Sequence, residues 1–138
     1  QATARKLATK GWLSWAGAGS GTAFSFINDF DGGTGTNTLD YSGFAGAIAV
    51  NLQTGSATGT SSITNFNDFV GNATPGSNSL TGQNIANTWD ITADNAGTIN
   101  PLGTPVTFAG FGSLQGGTLV DEFDIADGVS LAGTVAGN

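Results

Sequence analysis

The feature that most constrains the fold is a spaced pattern of apolar residues that occurs three times. In each copy three apolar residues stand three positions apart, and a glycine follows two positions after the last of them. The copies begin 39 and 45 residues apart. The apolar positions are Phe24, Ile27 and Phe30, then Ile63, Phe66 and Phe69, then Phe108, Phe111 and Leu114. Such self-similarity indicates stacked repeats that share one core, because a single copy is too small to bury its own apolar face.

Short alternating segments follow these copies and predict β-strands. Ile48 and Val50 alternate with Ala49 and Asn51, and apolar residues recur at every second position in three further segments. Those further pairs are Leu39 and Tyr41, Trp89 and Ile91, and Phe123 and Ile125. The 23 glycines indicate closely spaced turns between short strands. We therefore predict an all-β fold for residues 22–138: a β-solenoid resembling a parallel β-helix or β-roll, with coils of about twenty residues.

Residues 1–21 differ in composition from the rest and are treated as a separate N-terminal extension. They contain helix formers, basic residues, and Trp12 and Trp15. Three interpretations remain open. The segment is a cap, formed by a short helix or an added strand; or it is an exposed anchoring arm; or residues 1–10 are partly foreign to the natural protein. In the first two cases we expect Trp12 and Trp15 to take part in assembly.

Charge is distributed very unevenly along the chain. All three basic residues lie in the first ten positions, whereas the ten carboxylates lie after them. A body without Lys or Arg cannot neutralise phosphates, so we expect no nucleic-acid partner. No run of apolar residues approaches the length of a transmembrane helix. The chain also has no His and no Cys, so the usual neutral-pH general base and the thiolate nucleophile are missing, and we expect no enzyme.

The densest group of charges predicts the best candidate for a metal site. It consists of Asp121, Glu122, Asp124 and Asp127. Carboxylate oxygens are the ligands that Ca²⁺ prefers, so this group is a candidate low-affinity calcium site. The alternative is a solvated acidic face that keeps the surface soluble and discourages edge pairing.

Glycine and asparagine residues mark the predicted turns. Asn37, Asn78 and Asn87 each precede a short strand, and we expect their side-chain amides to form a hydrogen-bonded ladder between coils. Asparagine also tolerates the left-handed backbone that tight turns require. The glycines expected in these turns are Gly32, Gly33, Gly116 and Gly117.

Most of the chain resembles the long repeats of very large bacterial surface adhesins of the filamentous-haemagglutinin type. The resemblance is carried by residues 32–60, 63–71, 86–100 and 108–128, and residues 131–138 match the point where the repeat begins again. It implies a secreted, extracellular, structural or adhesive module. The implied partners are neighbouring repeats or identical subunits, and a glycan or protein on a host or cell surface.

Two alternatives accompany this interpretation. The turns are similar to degenerate calcium-binding nonapeptides of the RTX type, GGxGxDxφx, but Asn37 replaces the Asp and Leu119 replaces a Gly. A calcium-binding RTX-like module is therefore one alternative. The other is a subunit of an extracellular filament, assembled by end-to-end β-stacking or by insertion of the N-terminal segment, because an isolated solenoid exposes unpaired strands at its ends.

Overall fold

The computed structural model describes residues 3–7, 12–16, 29–99 and 105–137, and it is nearly all β. One 3₁₀ turn, η1 (Pro75–Ser77), is the exception among the described residues. The strands are β1 (Thr3–Leu7), β2 (Trp12–Ala16), β3 (Asp29–Asp31), β4 (Thr38–Asp40), β5 (Ala49–Asn51), β6 (Ser56–Ala57), β7 (Ser62–Thr64), β8 (Asp68–Val70), β9 (Ser79–Thr81), β10 (Thr88–Ala93), β11 (Ala96–Ile99), β12 (Val106–Ala109), β13 (Ser113–Gln115), β14 (Glu122–Ile125) and β15 (Val135–Ala136). The all-β prediction is confirmed.

The described strands form three sheets and no closed barrel. The largest has eight strands in the order β1-β2-β4-β8-β12-β11-β10-β14. The second has five strands in the order β15-β13-β9-β5-β6, and the third pairs β3 with β7. Many neighbouring strands are non-consecutive in the chain, such as β4 and β8 or β5 and β9, because the chain returns to the same sheet after forming strands elsewhere.

Parallel pairs place apolar residues from distant segments in register. In the eight-stranded sheet Leu39 pairs with Phe69, and Phe69 pairs with Phe108. In the five-stranded sheet the row contains Val50, Leu80, Leu114 and Val135. The inner members of both rows are buried, so the alternation of apolar and polar residues along each short strand directs one face of each sheet into a common core.

Of the nine predicted core residues, seven are described. Ile63, Phe69, Phe108, Phe111 and Leu114 are buried, whereas Phe30 and Phe66 are partly buried and pack against the core. Phe24 and Ile27 lie outside the described residues. The triplets do not stack member on member: Phe30 pairs with Ile63, Phe69 with Phe108, and Leu114 with Leu80.

The stacked positions are farther apart in sequence than the expected twenty residues. Thr38 lies opposite Asp68, 30 residues later, and Asp68 lies opposite Thr107, 39 residues later. Ser113 and Thr134, at 21 residues, come closest to the expectation. These separations exceed twenty residues because, between two stacked positions, the chain forms strands of two sheets and the turns that connect them.

Parallel pairing is interrupted by an antiparallel meander of β10, β11 and β12. Asp94 and Asn95 form a two-residue turn between β10 and β11, and Asn95 adopts a left-handed φ of 55°. Asparagine tolerates this region, which such hairpin turns require. The expectation of stacking by parallel pairing is therefore wrong in this segment.

The two strands in the N-terminal extension form an antiparallel hairpin. Its second strand, β2, pairs in parallel with β4, and Leu13 lies opposite Leu39. The cap interpretation of the extension offers either a short helix or an added strand. Residues 3–7 and 12–16 form strands. Strand β1 therefore lies at one edge of the eight-stranded sheet, and β14 lies at the other.

Candidate functional site

The buried side chain of Asn37 makes hydrogen bonds that stabilise its own turn. Its Nδ2 donates to the carbonyl oxygens of Gly33 (3.1 Å) and Gly35 (3.4 Å). The same nitrogen donates to the carbonyl of Asn65 at 2.7 Å, in the next segment of the stack. The backbone N–H of Asn37 donates to Oδ1 of Asn67 at 2.8 Å. One amide thus holds the shape of its own turn and attaches that turn to its neighbour.

Asn87 repeats this arrangement fifty residues later. Its Nδ2 donates to the carbonyls of Gln83 and Ile85, each at 2.9 Å, which are the residues four and two positions before it. It also donates to Oδ1 of Asp121 at 2.6 Å, where β14 stacks on β10. The recurrence shows that asparagine at this turn position acts in the same way in two different turns.

Asn78 joins three segments in the interior. Its Nδ2 donates to the carbonyl of Gly110 (2.7 Å) and to Oδ1 of Asn72 (3.1 Å), and its Oδ1 accepts from the backbone N–H of Ile48. The three predicted asparagines are thus all buried, but their bonds join each to a different partner and not to one another. In place of the predicted single ladder of amides, each asparagine makes its own set of hydrogen bonds between segments.

Glycine is required in these turns by close approach of other atoms. A Cβ on Gly32 would lie 2.6 Å from the Asn65 carbonyl oxygen, and one on Gly116 would overlap the Asp121 carboxylate. A Cβ on Gly117 would overlap the backbone carbonyl of Gln83 in the neighbouring coil. Gly33 differs, because its φ of 77° and not lack of space favours glycine.

Asp121 occupies the turn position that Asn37 and Asn87 hold in the other two turns. Its Oδ1 accepts from both the backbone N–H (3.2 Å) and the Nδ2 of Asn87. Its Oδ2 and the Oδ1 of Asn87 are buried and have no hydrogen-bond partner among the described residues. A carboxylate cannot donate a hydrogen bond. The turn before Asp121 therefore lacks the bonds to its own backbone carbonyls that the amides of Asn37 and Asn87 make in theirs.

The four predicted metal ligands do not converge. Asp121 is directed toward Asn87, whereas Glu122, Asp124 and Asp127 are exposed. Within the described ranges no three His, Cys, Asp or Glu side chains are close enough to hold one metal ion. Calcium binding through these residues therefore stays a prediction.

Other carboxylates bind hydroxyl groups of stacked neighbours. Asp68 accepts from Thr38 Oγ1 at 2.7 Å through Oδ2 and from Thr107 Oγ1 at 2.6 Å through Oδ1, and so bridges three adjacent strands. Asp29 accepts from Ser62 Oγ at 2.7 Å in the same way. Sequence reasoning missed Asp68, although its position before a buried aromatic residue matches that of Thr38 before Leu39.

Tyr41 is a buried polar residue that sequence reasoning placed only as part of a strand. Its hydroxyl donates to the carbonyl oxygen of Thr58 at 2.7 Å. Burial raises the pKa of the phenol above its ordinary value, because desolvation disfavours the phenolate.

A groove of about 870 Å³ lies beside the first turn. Its walls combine polar side chains with a partly exposed aromatic ring, Phe66, and with aliphatic residues. The polar side chains are those of Asp31, Thr34, Asn65, Asn67 and Gln83. The lining therefore offers polar and apolar contacts side by side at one surface groove.

Trp12 and Trp15 lie on β2, next to β4, and their role in assembly stays a prediction. Within the part of the chain that the structure describes, no helix has the length and apolarity needed to span a membrane.

Comparison of the chain with protein-family models, with curated proteins and with solved structures finds no match.

Proposed function

We propose that this chain is a β-solenoid module of a secreted bacterial surface protein, with a structural and adhesive role and no catalytic activity. The observation that carries the proposal is the in-register parallel row of Val50, Leu80, Leu114 and Val135 from four successive segments. Such a row repeats one structural unit along an axis, which is how solenoids build extended shapes from short strands.

The contacts between coils suit a module that has to stay folded outside the cell. Buried amides at Asn37, Asn78 and Asn87 connect neighbouring segments, and Asp68 connects three strands through hydroxyl groups. These bonds need neither basic side chains nor thiols, and the body of the chain contains none of either. The composition therefore agrees with a stack held by backbone ladders, amides and apolar rows.

The non-catalytic part of the proposal rests on side-chain chemistry. The chain has no His and no Cys, and the carboxylates of Asp29, Asp68 and Asp121 are engaged by hydroxyl or amide donors. We therefore propose that these carboxylates stabilise the packing between neighbouring strands and take no part in catalysis.

For the adhesive part, the groove beside the first turn is the best place for a ligand. A sugar ring presents hydroxyl groups to amides and carboxylates and C–H groups to an aromatic ring. Asn65, Asn67 and Gln83 supply the first kind of contact, and Phe66 supplies the second. We therefore propose a neutral glycan as the ligand class, because Asp31 at the groove would repel an anionic one.

Engineered disulfides test the stacked architecture. Thr81 and Gln115 are direct partners on adjacent parallel strands, and Asn51 is the partner of Thr81 on the other side. Adjacent strands are about 4.8 Å apart, within the range that a disulfide spans, whereas the next strand but one is about twice as far away. Because the chain has no Cys, we expect T81C/Q115C to form a disulfide on mild oxidation and the matched control N51C/Q115C to stay reduced. Equal oxidation of both variants would contradict the stack.

A glycan array tests the adhesive part separately. We expect the chain to bind a subset of neutral glycans, and Phe66→Ala to reduce that binding by about tenfold, the effect of roughly 1.4 kcal/mol. Val120→Ala is the control, because Val120 is exposed and lies away from the groove. Binding that both variants retain would place the ligand elsewhere, and no binding to any glycan would overturn the adhesive role.

A further inference from the structure

The two edges of the eight-stranded sheet differ in charge. Strand β1 at one edge contains Arg5 and Lys6, and strand β14 at the other contains Glu122 and Asp124. The chain has three basic residues in all, so two of them lie on this single edge strand. Opposite charges on facing strands stabilise their pairing, whereas like charges oppose it.

The β14 edge is also the apolar end of the molecule. The large hydrophobic residues that are exposed among the described residues all lie in the last coil: Leu119, Val120, Ile125 and Val135, with exposed fractions from 42 to 84%. In the preceding coils the corresponding rows are covered, as Leu80 is by Leu114. A cluster of this kind at an open sheet edge marks an interaction surface.

The directions of the strands are compatible with joining the two edges. β1 is antiparallel to β2, and β2 runs parallel to β4, β8 and β12. Two antiparallel steps through β11 and one parallel step then give β14 the direction of β4. β1 and β14 therefore run in opposite directions, and a copy translated along the stack would place them side by side as an antiparallel pair.

We propose that the chain associates head to tail with a second copy of itself, with β1 of one copy pairing on β14 of the next. The pair would extend the sheet, bring the basic strand β1 next to the acidic strand β14, and cover apolar residues of the last coil. Because side chains alternate along a strand, one of Arg5 and Lys6 would share the face of Glu122 and Asp124. This inference uses the strand order and directions, the charges of the edge strands and the exposed apolar residues of the last coil, so it stands or fails independently of the glycan-binding role.

Charge reversal tests the pairing in the full chain. We expect sedimentation to show self-association that rises with chain concentration and weakens about tenfold or more in high salt, because salt screens exposed charges. The variants R5E/K6E and E122K/D124K should each be monomeric alone. Mixed in equal amounts they should associate again as alternating chains, because the reversed β1 edge complements the reversed β14 edge and the two unchanged edges complement each other.

The matched control compares two exposed acids of the same coil. Glu122→Lys and Asp127→Lys change the net charge equally, but only Glu122 lies on β14. We expect the first to weaken association about tenfold and the second to leave it within about twofold, with equal circular dichroism for both. A monomer at all concentrations up to about 100 µM would overturn the proposal, as would association that survives R5E/K6E.

Discussion

Trp89 stacks on Phe123, with ring centroids 5.2 Å apart and planes inclined by 21°. The two residues are direct partners on β10 and β14, and Trp89 is fully buried whereas Phe123 is half-buried. Phe123 thus covers Trp89 at the open end of the stack. We expect Phe123→Ala to lower the free energy of unfolding by about 2 kcal/mol, less than for a fully buried Phe, because Trp89 loses its stacking partner. Urea unfolding followed by circular dichroism measures this.

Val120→Ala serves as the control for that variant. Val120 lies in the same coil but is 84% exposed, so its truncation should change stability by less than about 0.5 kcal/mol. Equal stability of the two variants would mean that Phe123 does not cover Trp89.

The buried phenol of Tyr41 predicts a loss of stability at alkaline pH. Because its pKa is raised in the folded state, the unfolded chain releases the phenolic proton first as the pH rises. The contribution is fully present below the ordinary tyrosine pKa of about 10 and is lost as the pH climbs above it. We expect the urea midpoint to fall steeply above about pH 10. Tyr41 is the single tyrosine, so tyrosinate absorbance reports its ionisation directly.

Tyr41→Phe separates this effect from every other effect of alkaline pH, which both proteins share. At neutral pH the variant should be about 1 kcal/mol less stable, because the Thr58 carbonyl loses its donor. Above pH 10 its midpoint should fall less than that of the parent chain. An ordinary tyrosinate titration in the folded protein would contradict the prediction.

Asp121→Asn should stabilise the protein. An amide at this position can donate to the carbonyls of Gly117 and Leu119, as Asn37 and Asn87 do in their own turns, while its oxygen still accepts from Asn87. We expect a gain of about 1 kcal/mol, or a rise in Tm of about 2–8 °C. Differential scanning calorimetry measures it. A lower Tm would show that the corner requires the carboxylate.

Gly117→Ala tests the close contact between turns. The new Cβ would overlap the carbonyl of Gln83, so the two coils must separate, and we expect a loss of about 2 kcal/mol or more. Gly137→Ala is the matched control, because no atom lies within 4 Å of the added Cβ there. Thermal unfolding of both compares them, and equal Tm values would contradict the contact.

The strands and their alternation are visible in the sequence, but the register is not. Ile48, Val50 and Leu39 have the expected burial because alternation alone decides which side of a short strand is apolar. Phe, Ile and Leu are interchangeable in a core, so spacing could not show that Phe30 pairs with Ile63. The matching turns carried a usable signal, since Asn37, Asn87 and Asp121 stand five positions after Gly32, Gly82 and Gly116.

The groove could not be predicted from the sequence. Its walls combine residues of the first turn with Leu52, Phe66, Gln83 and Val106, which no local pattern relates. These segments come together only because the chain returns to neighbouring strands at the separations that the structure shows. The antiparallel meander also could not be predicted, because Asp94 and Asn95 lack the glycine that marks most two-residue hairpin turns.

That meander gives the two large sheets unequal heights. From β4 to β14 the eight-stranded sheet crosses five strand spacings, whereas from β5 to β15 the five-stranded sheet crosses three. At about 4.8 Å per spacing, one side of the stack is about 10 Å taller than the other. Head-to-tail association of the kind proposed above would therefore produce a curved row of copies, with the eight-stranded sheet on its outer side.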